Sequence, residues 1–163
     1  MCTEAKQHIE LFSKLSIRKT EAGELTHIDL WGKYSIRLIN GHQYYLLLVD
    51  NAKRCATIKC VKQKSDAAQA VINYLAHLKT QGRNTKGIQI DCGKEFVNEK
   101  LKNWCKERDM EICYTVSYSP SQNAIAEQMN CTLVELSQAM VITNDLPEFL
   151  WEYAVLHVAY LCN

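Results

Sequence analysis

Apolar and polar residues alternate along this chain in a way that separates strands from helices before any chemistry is considered. Residues 1–22 are polar, weakly periodic and rich in Lys and Glu, and read as a leader or linker. The first strong element is Leu25-Thr26-His27-Ile28-Asp29-Leu30-Trp31, a strand. The stretch after it holds Asn40-Gly41, a pair favoured in hairpin turns because both positions tolerate positive φ. Tyr44 to Val49 is a near-continuous apolar run, the mark of a strand buried on both faces. A polar turn over Asp50 to Arg54 leads to a third strand, Cys55 to Val61, so the first three strands suggest an antiparallel meander.

The period then changes from two to about 3.6. Ser65 is placed to cap a helix carrying Ala68, Val71, Ile72, Leu75 and Leu78 and ending near Gly82. Ile88 to Asp91 is a short strand. Phe96, Leu101, Trp104 and Cys105 mark a helix, and Ile112 to Val116 a fifth strand. Ser119-Pro120-Ser121-Gln122 has the form of a capping box with proline at the first helical position. The helix after it carries Ile125, Met129, Leu133, Leu136 and Met140 on one side. A last helix opens near Pro147 and buries Leu150, Trp151, Ala154, Val155, Val158 and Leu161. The order of three strands, helix, strand, helix, strand, helix, helix predicts an α/β domain over residues 23–163. Its five-stranded mixed sheet consists of three antiparallel strands and two more added in βαβ fashion, flanked by helices.

At 163 residues the chain has room for one sizeable core. Nineteen basic and eighteen acidic residues leave a formal charge of +1, so any nucleic-acid binding needs a local patch or other modules. No two of the eight cysteines are separated by two residues, which excludes zinc-ribbon and redox-pair spacings. With no apolar signal region after Met1-Cys2-Thr3-Glu4, reduced and mostly buried thiols in an intracellular protein are expected. The longest apolar run is far too short to span a bilayer.

Three carboxylates have the placement that phosphodiester chemistry demands. Such chemistry needs an activated oxygen nucleophile and relief of charge on the phosphate, which two divalent ions roughly 4 Å apart supply together. Mg²⁺ prefers carboxylate oxygens, so acids on separate rigid elements must converge. Asp29 lies inside a strand between Ile28 and Leu30, where an unpaired charge costs several kcal/mol on the order given for buried polar groups. Asp91 closes the fourth strand. Glu127 lies early in its helix, sharing a polar side with Asn123 and Asn130 at i, i+4, i+7 spacing. Taken singly, a strand-end Asp more often shapes a turn and an early helical Glu more often favours the helix dipole. Asp50 and Glu95 compete for places in the site.

The surrounding words decide between these readings. Thirty-five residues lie between Asp91 and Glu127 and 61 between Asp29 and Asp91, an arrangement that resembles the D,D-35-E constellation of retroviral and retrotransposon integrases. Gly23 to Gly32, Asp91-Cys92-Gly93-Lys94-Glu95-Phe96 and Ser119-Pro120-Ser121-Gln122-Asn123-Ala124-Ile125-Ala126-Glu127 are similar to words of the copia-type group. Thr132 to Glu135 and Leu146 to Trp151 have counterparts there too, so the resemblance runs from about residue 23 to the end. It implies an RNase H-like fold and two Mg²⁺ (or Mn²⁺) ions held by Asp29, Asp91 and Glu127 as catalytic residues. It implies 3′-end processing of element DNA and strand transfer into target DNA, in the nucleus when the target is chromosomal, by a homo-oligomer with no membrane partner. Asn123, Asn130 and Lys94 are the candidate DNA contacts.

The departures from that group are specific. Cys92 replaces its usual Asn, Lys94 a Gly, and Ala124 the Gly before the helix. Its E-R-K-N-R word reads here as Glu127-Gln128-Met129-Asn130-Cys131. Three basic residues are lost, which weakens phosphate neutralisation. The group's upstream zinc-binding His and Cys module is not recognisable, with Cys2 and its successors read as its last remnant, and the chain is expected to be a core cut from a larger polyprotein. Three readings follow: an active polynucleotidyl transferase, a degenerate or domesticated core that only binds nucleic acid or dimerises, and a ribonuclease H, which the Ser119-to-Glu127 word disfavours. Lys53, Arg54, Lys59, Lys62, Lys64, Lys79, Arg83 and Lys86 read as a solvated face, His27 as a packed histidine, and Trp31, Trp104 and Trp151 as packing residues.

Overall fold

A computed structural model describes residues 21–36, 38–91, 93, 96, 98–115 and 124–163. The elements are β1 (Leu25–Gly32), β2 (Tyr44–Asp50), β3 (Ala56–Val61), α1 (Ala67–Thr80), β4 (Gly87–Asp91), α2 (Glu99–Lys106), β5 (Glu111–Thr115), α3 (Ala124–Thr143) and α4 (Trp151–Cys162). They form one mixed sheet in the order β3-β2-β1-β4-β5. The strands β1, β2 and β3 pair antiparallel. β4 joins β1 in parallel and β5 joins β4 in parallel, as the crossings through α1 and α2 require.

Strand alternation sends successive residues to opposite faces. Ile28, Leu46, Leu48, Ile88 and Ile90 meet Val71, Leu75 and Leu78 of α1 and Leu101 and Cys105 of α2 in one core. Tyr45, Leu47, Val49, Ala56 and Ile58 meet Leu133 and Val141 of α3 and Trp151, Val155 and Val158 of α4 in the other. Asp29 is flanked in β1 by residues of the first core, so its side chain is on the α3/α4 side. β1 ends at Gly32, where φ is +122° and an added Cβ would lie 2.6 Å from the Gln43 carbonyl oxygen. Only glycine fits such a close approach.

Several local expectations are corrected by this structure. The β1–β2 connection is long, and of Asn40 and Gly41 only Gly41 takes a positive φ, so no two-residue hairpin forms. Ser65 does not cap α1. A 3₁₀ turn over Lys64–Asp66 precedes that helix, with the Asp66 carboxylate accepting from the Gln63 N–H at 3.1 Å. Phe96 is buried ahead of α2 rather than within it, and the helix is capped by Asn98, whose side chain accepts from the Lys100 and Leu101 N–H groups. Leu136 and Leu161 are exposed. The buried stripe of α3 runs through Ala126, Leu133, Ser137 and Val141 instead, while α4 buries Glu152 and Ala159. Of the described cysteines only Cys105 is fully buried, and Cys131 and Cys162 are exposed. The expected leader up to residue 20, the Ser119-Pro120 cap, Asn123, Cys92, Lys94 and Glu95 lie outside the described residues.

Candidate active site

The register of the central strands accounts for the site. Ile28 pairs with Ile90 in the parallel β1–β4 ladder, so Asp29 and Asp91 are each the next residue along neighbouring strands. Both then point to the α3/α4 face, where the first turn of α3 presents Glu127. The electrostatics register this convergence. The Asp29 carboxyl is pushed above its ordinary pKa, first by burial, then by the charges of Asp91 and, more weakly, Glu127. Desolvation and like charge both penalise a carboxylate. The Leu30 N–H, donating to Asp29 Oδ1 at 2.9 Å, opposes them only in part. Among the described residues no Lys or Arg forms an ion pair with any of the three acids.

Two neighbours orient the acids. Asn130, one turn after Glu127 on α3, donates from Nδ2 to Asp29 Oδ2 at 3.1 Å and accepts from the Tyr45 hydroxyl through Oδ1. Its amide is thus turned inward, onto a carboxylate. Asp91 Oδ1 accepts from the Gly93 N–H at 2.8 Å, a short loop closure on an exposed residue. The third acid, Glu127, is exposed. The ligand oxygens of the trio do not all lie within 4.8 Å of one another, a spacing that among the described residues only His42, Cys60 and Glu152 reach. A pair of ions roughly 4 Å apart spreads its ligands over more than one coordination shell, and three acids without a cation are the donor set that hard divalent ions take.

The competing acid, Asp50, is a structural residue. Buried at the end of β2, it accepts from the Ala52 and Lys53 N–H groups at 3.0 and 2.7 Å and from Gly23 N–H. His27 is fully buried and its Nε2 pairs with Asn51 Oδ1 at 2.9 Å, a packed histidine. Trp31, Tyr34, Tyr45 and Trp151 form a stack, with Trp31 and Trp151 ring centroids 4.8 Å apart. Trp104 lies under the Arg108 guanidinium. The basic residues from Lys53 to Lys86 are exposed. An open cleft of about 590 Å³ runs beside α3, lined by Val49, Ile125, Gln128, Met129 and Thr132, with Arg54 as its one cation.

Comparison with known proteins places this geometry in context. No family model matches the chain. The retrovirus-related Pol polyprotein from transposon TNT 1-94 of Nicotiana tabacum is 29% identical over 163 residues, 99% of this chain and 12% of that protein. The corresponding polyproteins from transposons RE2 and RE1 of Arabidopsis thaliana are 24% and 25% identical over 99% and 93% of this chain, and 11% and 10% of their own lengths. The chain therefore spans about a tenth of the relatives it matches. A chain of the cryoEM structure of the simian T-cell lymphotropic virus intasome, in complex with PP2A regulatory subunit B56 gamma, superposes with a TM-score of 0.62 at 19% identity. The match covers 82% of this chain and 47% of that one, and it establishes the RNase H-like sheet.

Proposed function

Because this chain is a relative of copia-type, retrovirus-related Pol polyproteins over nearly its whole length, we propose that it is the integrase catalytic core of such an element, a metal-dependent polynucleotidyl transferase. The reading rests above all on one observation: the β1–β4 register sets the part-buried Asp29 beside Asp91, on the face of the sheet that α3 covers with Glu127 in its first turn. Asp29, Asp91 and Glu127 are the residues that would hold two Mg²⁺ or Mn²⁺ ions. Bound there, the ions lower the pKa of an attacking water or hydroxyl and offset charge on the phosphate.

The chain's own residues supply placement. Asp29 is fixed in the central strand, laddered on both sides by β2 and β4, and Asn130 sets the direction of its Oδ2. Asp91 enters from the neighbouring strand end and Glu127 from a helix, so the three approach a phosphate from separate rigid elements. The proposed reactions are 3′-end processing of element DNA and in-line attack of the new 3′-hydroxyl on target DNA, carried out by a homo-oligomer in the nucleus. The proposed full protein is a longer polyprotein that carries residues 23–163 as its catalytic domain.

One observation favours a second reading, a core that keeps the fold and has lost catalysis. Gln128 and Cys131, exposed beside Glu127, are neutral where the resemblance implies arginine. The test is strand joining with labelled element-end DNA in Mg²⁺ or Mn²⁺. Joined products that vanish in Glu127→Gln support the transferase. Their absence under either metal, with DNA binding no tighter than micromolar order, leaves the binding or dimerisation role. Cleavage of an RNA–DNA hybrid in place of joining would instead favour a ribonuclease H.

A further inference from the structure

On the same face of the sheet, away from the acidic trio, a second set of metal-ligating groups lies under α4. His42 comes from the β1–β2 connection, Cys60 from β3 and Glu152 from the first turn of α4, and their ligand atoms all lie within 4.8 Å of one another. His42 Nδ1 and Glu152 Oε1 are 2.8 Å apart. Asn40 Nδ2 donates to the same oxygen at 3.2 Å. Glu152 is only 4% exposed, and its other oxygen, Oε2, is buried with no hydrogen-bond partner. A buried carboxylate oxygen left without a donor is costly, and the His42 ring held on Oε1 does not relieve it. Leu38, Tyr44, Trp151 and Val155 wall the place with apolar surface.

We propose that His42, Cys60 and Glu152 bind a zinc ion, with the fourth tetrahedral position left for water or a partner's donor. Imidazole, thiolate and carboxylate together suit Zn²⁺ better than Mg²⁺ or Ca²⁺. Zinc ligands at the usual bond lengths stand about 3.3–3.6 Å from one another, so only a small parting of His42 from Glu152 admits the ion. On binding, the Cys60 thiol gives its proton to solvent, His42 releases its Nδ1 proton to solvent and keeps its remaining proton on Nε2, which frees the Nδ1 lone pair, and Glu152 turns its unsatisfied oxygen to the metal. Burial first, then the Glu152 charge, hold the metal-free thiol up at about 12, so this cysteine is a protonated ligand-in-waiting rather than a free nucleophile. Asn40 orients the carboxylate from behind, as outer partners of metal ligands do. Zinc would pin the long β1–β2 connection to α4 and to the edge strand.

The test uses the whole chain, stripped with a chelator and titrated with Co²⁺ as a spectroscopic stand-in for zinc. The expected result is tetrahedral visible bands with a thiolate-to-cobalt charge-transfer band, saturating at one equivalent and bleached by added Zn²⁺. Cys60→Ser abolishes the charge-transfer band, and His42→Gln weakens Co²⁺ affinity at least about tenfold. Asp29→Asn leaves the band unchanged, since the acidic trio has no sulfur, which separates this site from the one proposed above. No charge-transfer band, or one that persists in Cys60→Ser, overturns the proposal and leaves His42 and Glu152 as a plain ion pair. Should Cys60→Ser lose its helical circular dichroism, His42→Gln decides alone, and unchanged affinity there overturns the site.

Discussion

The two faces of the sheet are built from the same strands and yet do different work. On the α1/α2 face, Ile28, Leu46, Leu48, Ile88 and Ile90 pack against Val71, Leu75 and Leu101 in an aliphatic layer. On the α3/α4 face the alternate residues of the same strands include Leu47, Val49 and Ile58 but also aromatic and ionisable groups: Asp29, Trp31, Tyr45, Cys60 and Asp91, met by Asn130, Trp151 and Glu152. The difference teaches that the aliphatic face is fully buried, whereas the ionisable groups gather on the other side, where Asp29 and Cys60 are part-buried and Asp91 is exposed. The aliphatic face holds the strands in register, and that register delivers the acids of the other.

Four measurements would break or sharpen this contrast. The largest effect is expected on the functional face: Glu127→Gln should lower strand-joining activity by a factor on the order of 10²–10³ or more, the scale of losing one preorganised electrostatic group, with an unchanged thermal midpoint. Next, Leu75→Ala on the aliphatic face should cost about 2–5 kcal/mol in denaturant unfolding yet leave Co²⁺ binding by the folded protein unaltered. If Leu75→Ala disturbs metal binding at midpoint-matched stability, the separation of the faces fails. Asn130→Ala should reduce activity or Mg²⁺ affinity by about 10–100-fold, as loss of a ligand-orienting partner does, while Asn130→Asp should be worse because it adds a fourth acid.

The smallest effect concerns pH. Asp29 has its folded-state pKa raised, so the metal-free folded state holds its proton more tightly than the unfolded chain. Its contribution is therefore neutral below the unfolded value near 3.8 and becomes a destabilisation as pH rises through the raised folded value. Asp29→Asn should flatten that fall in urea-unfolding stability and abolish stabilisation by Mg²⁺. A variant with the same pH profile as the parent would show that burial at this position carries no strain.

Much of this was readable in the chain itself, for reasons that differ by element. Strand order and the βαβ additions followed from period and length, since apolar runs such as Tyr44 to Val49 leave little choice. The aspartates at 29 and 91 stood out because a charge inside a strand is expensive. Side-chain burial on the helices was less legible. Leu136 and Leu161 are as apolar as their buried neighbours, and only the packing of α3 and α4 on the sheet decides that Ser137 and Ala159 go inward instead. Glu152 falls within the buried stripe of α4 beside Trp151 and Val155, so a helical projection would have flagged it. His42 carried no local signal, because it meets Glu152 across 110 residues of chain. Asn98 and Gln63 displaced the expected helix starts since caps depend on where the incoming chain turns.

The central position of β1 has a consequence for how substrate is engaged. Residues 26–28, just before Asp29, pair with a strand on each side, and amide exchange there should require global opening. Glu127, by contrast, is an exposed residue in the first turn of α3. Deuterium uptake should therefore be slowest at residues 26–28, which makes the strand beneath Asp29 the anvil of the site.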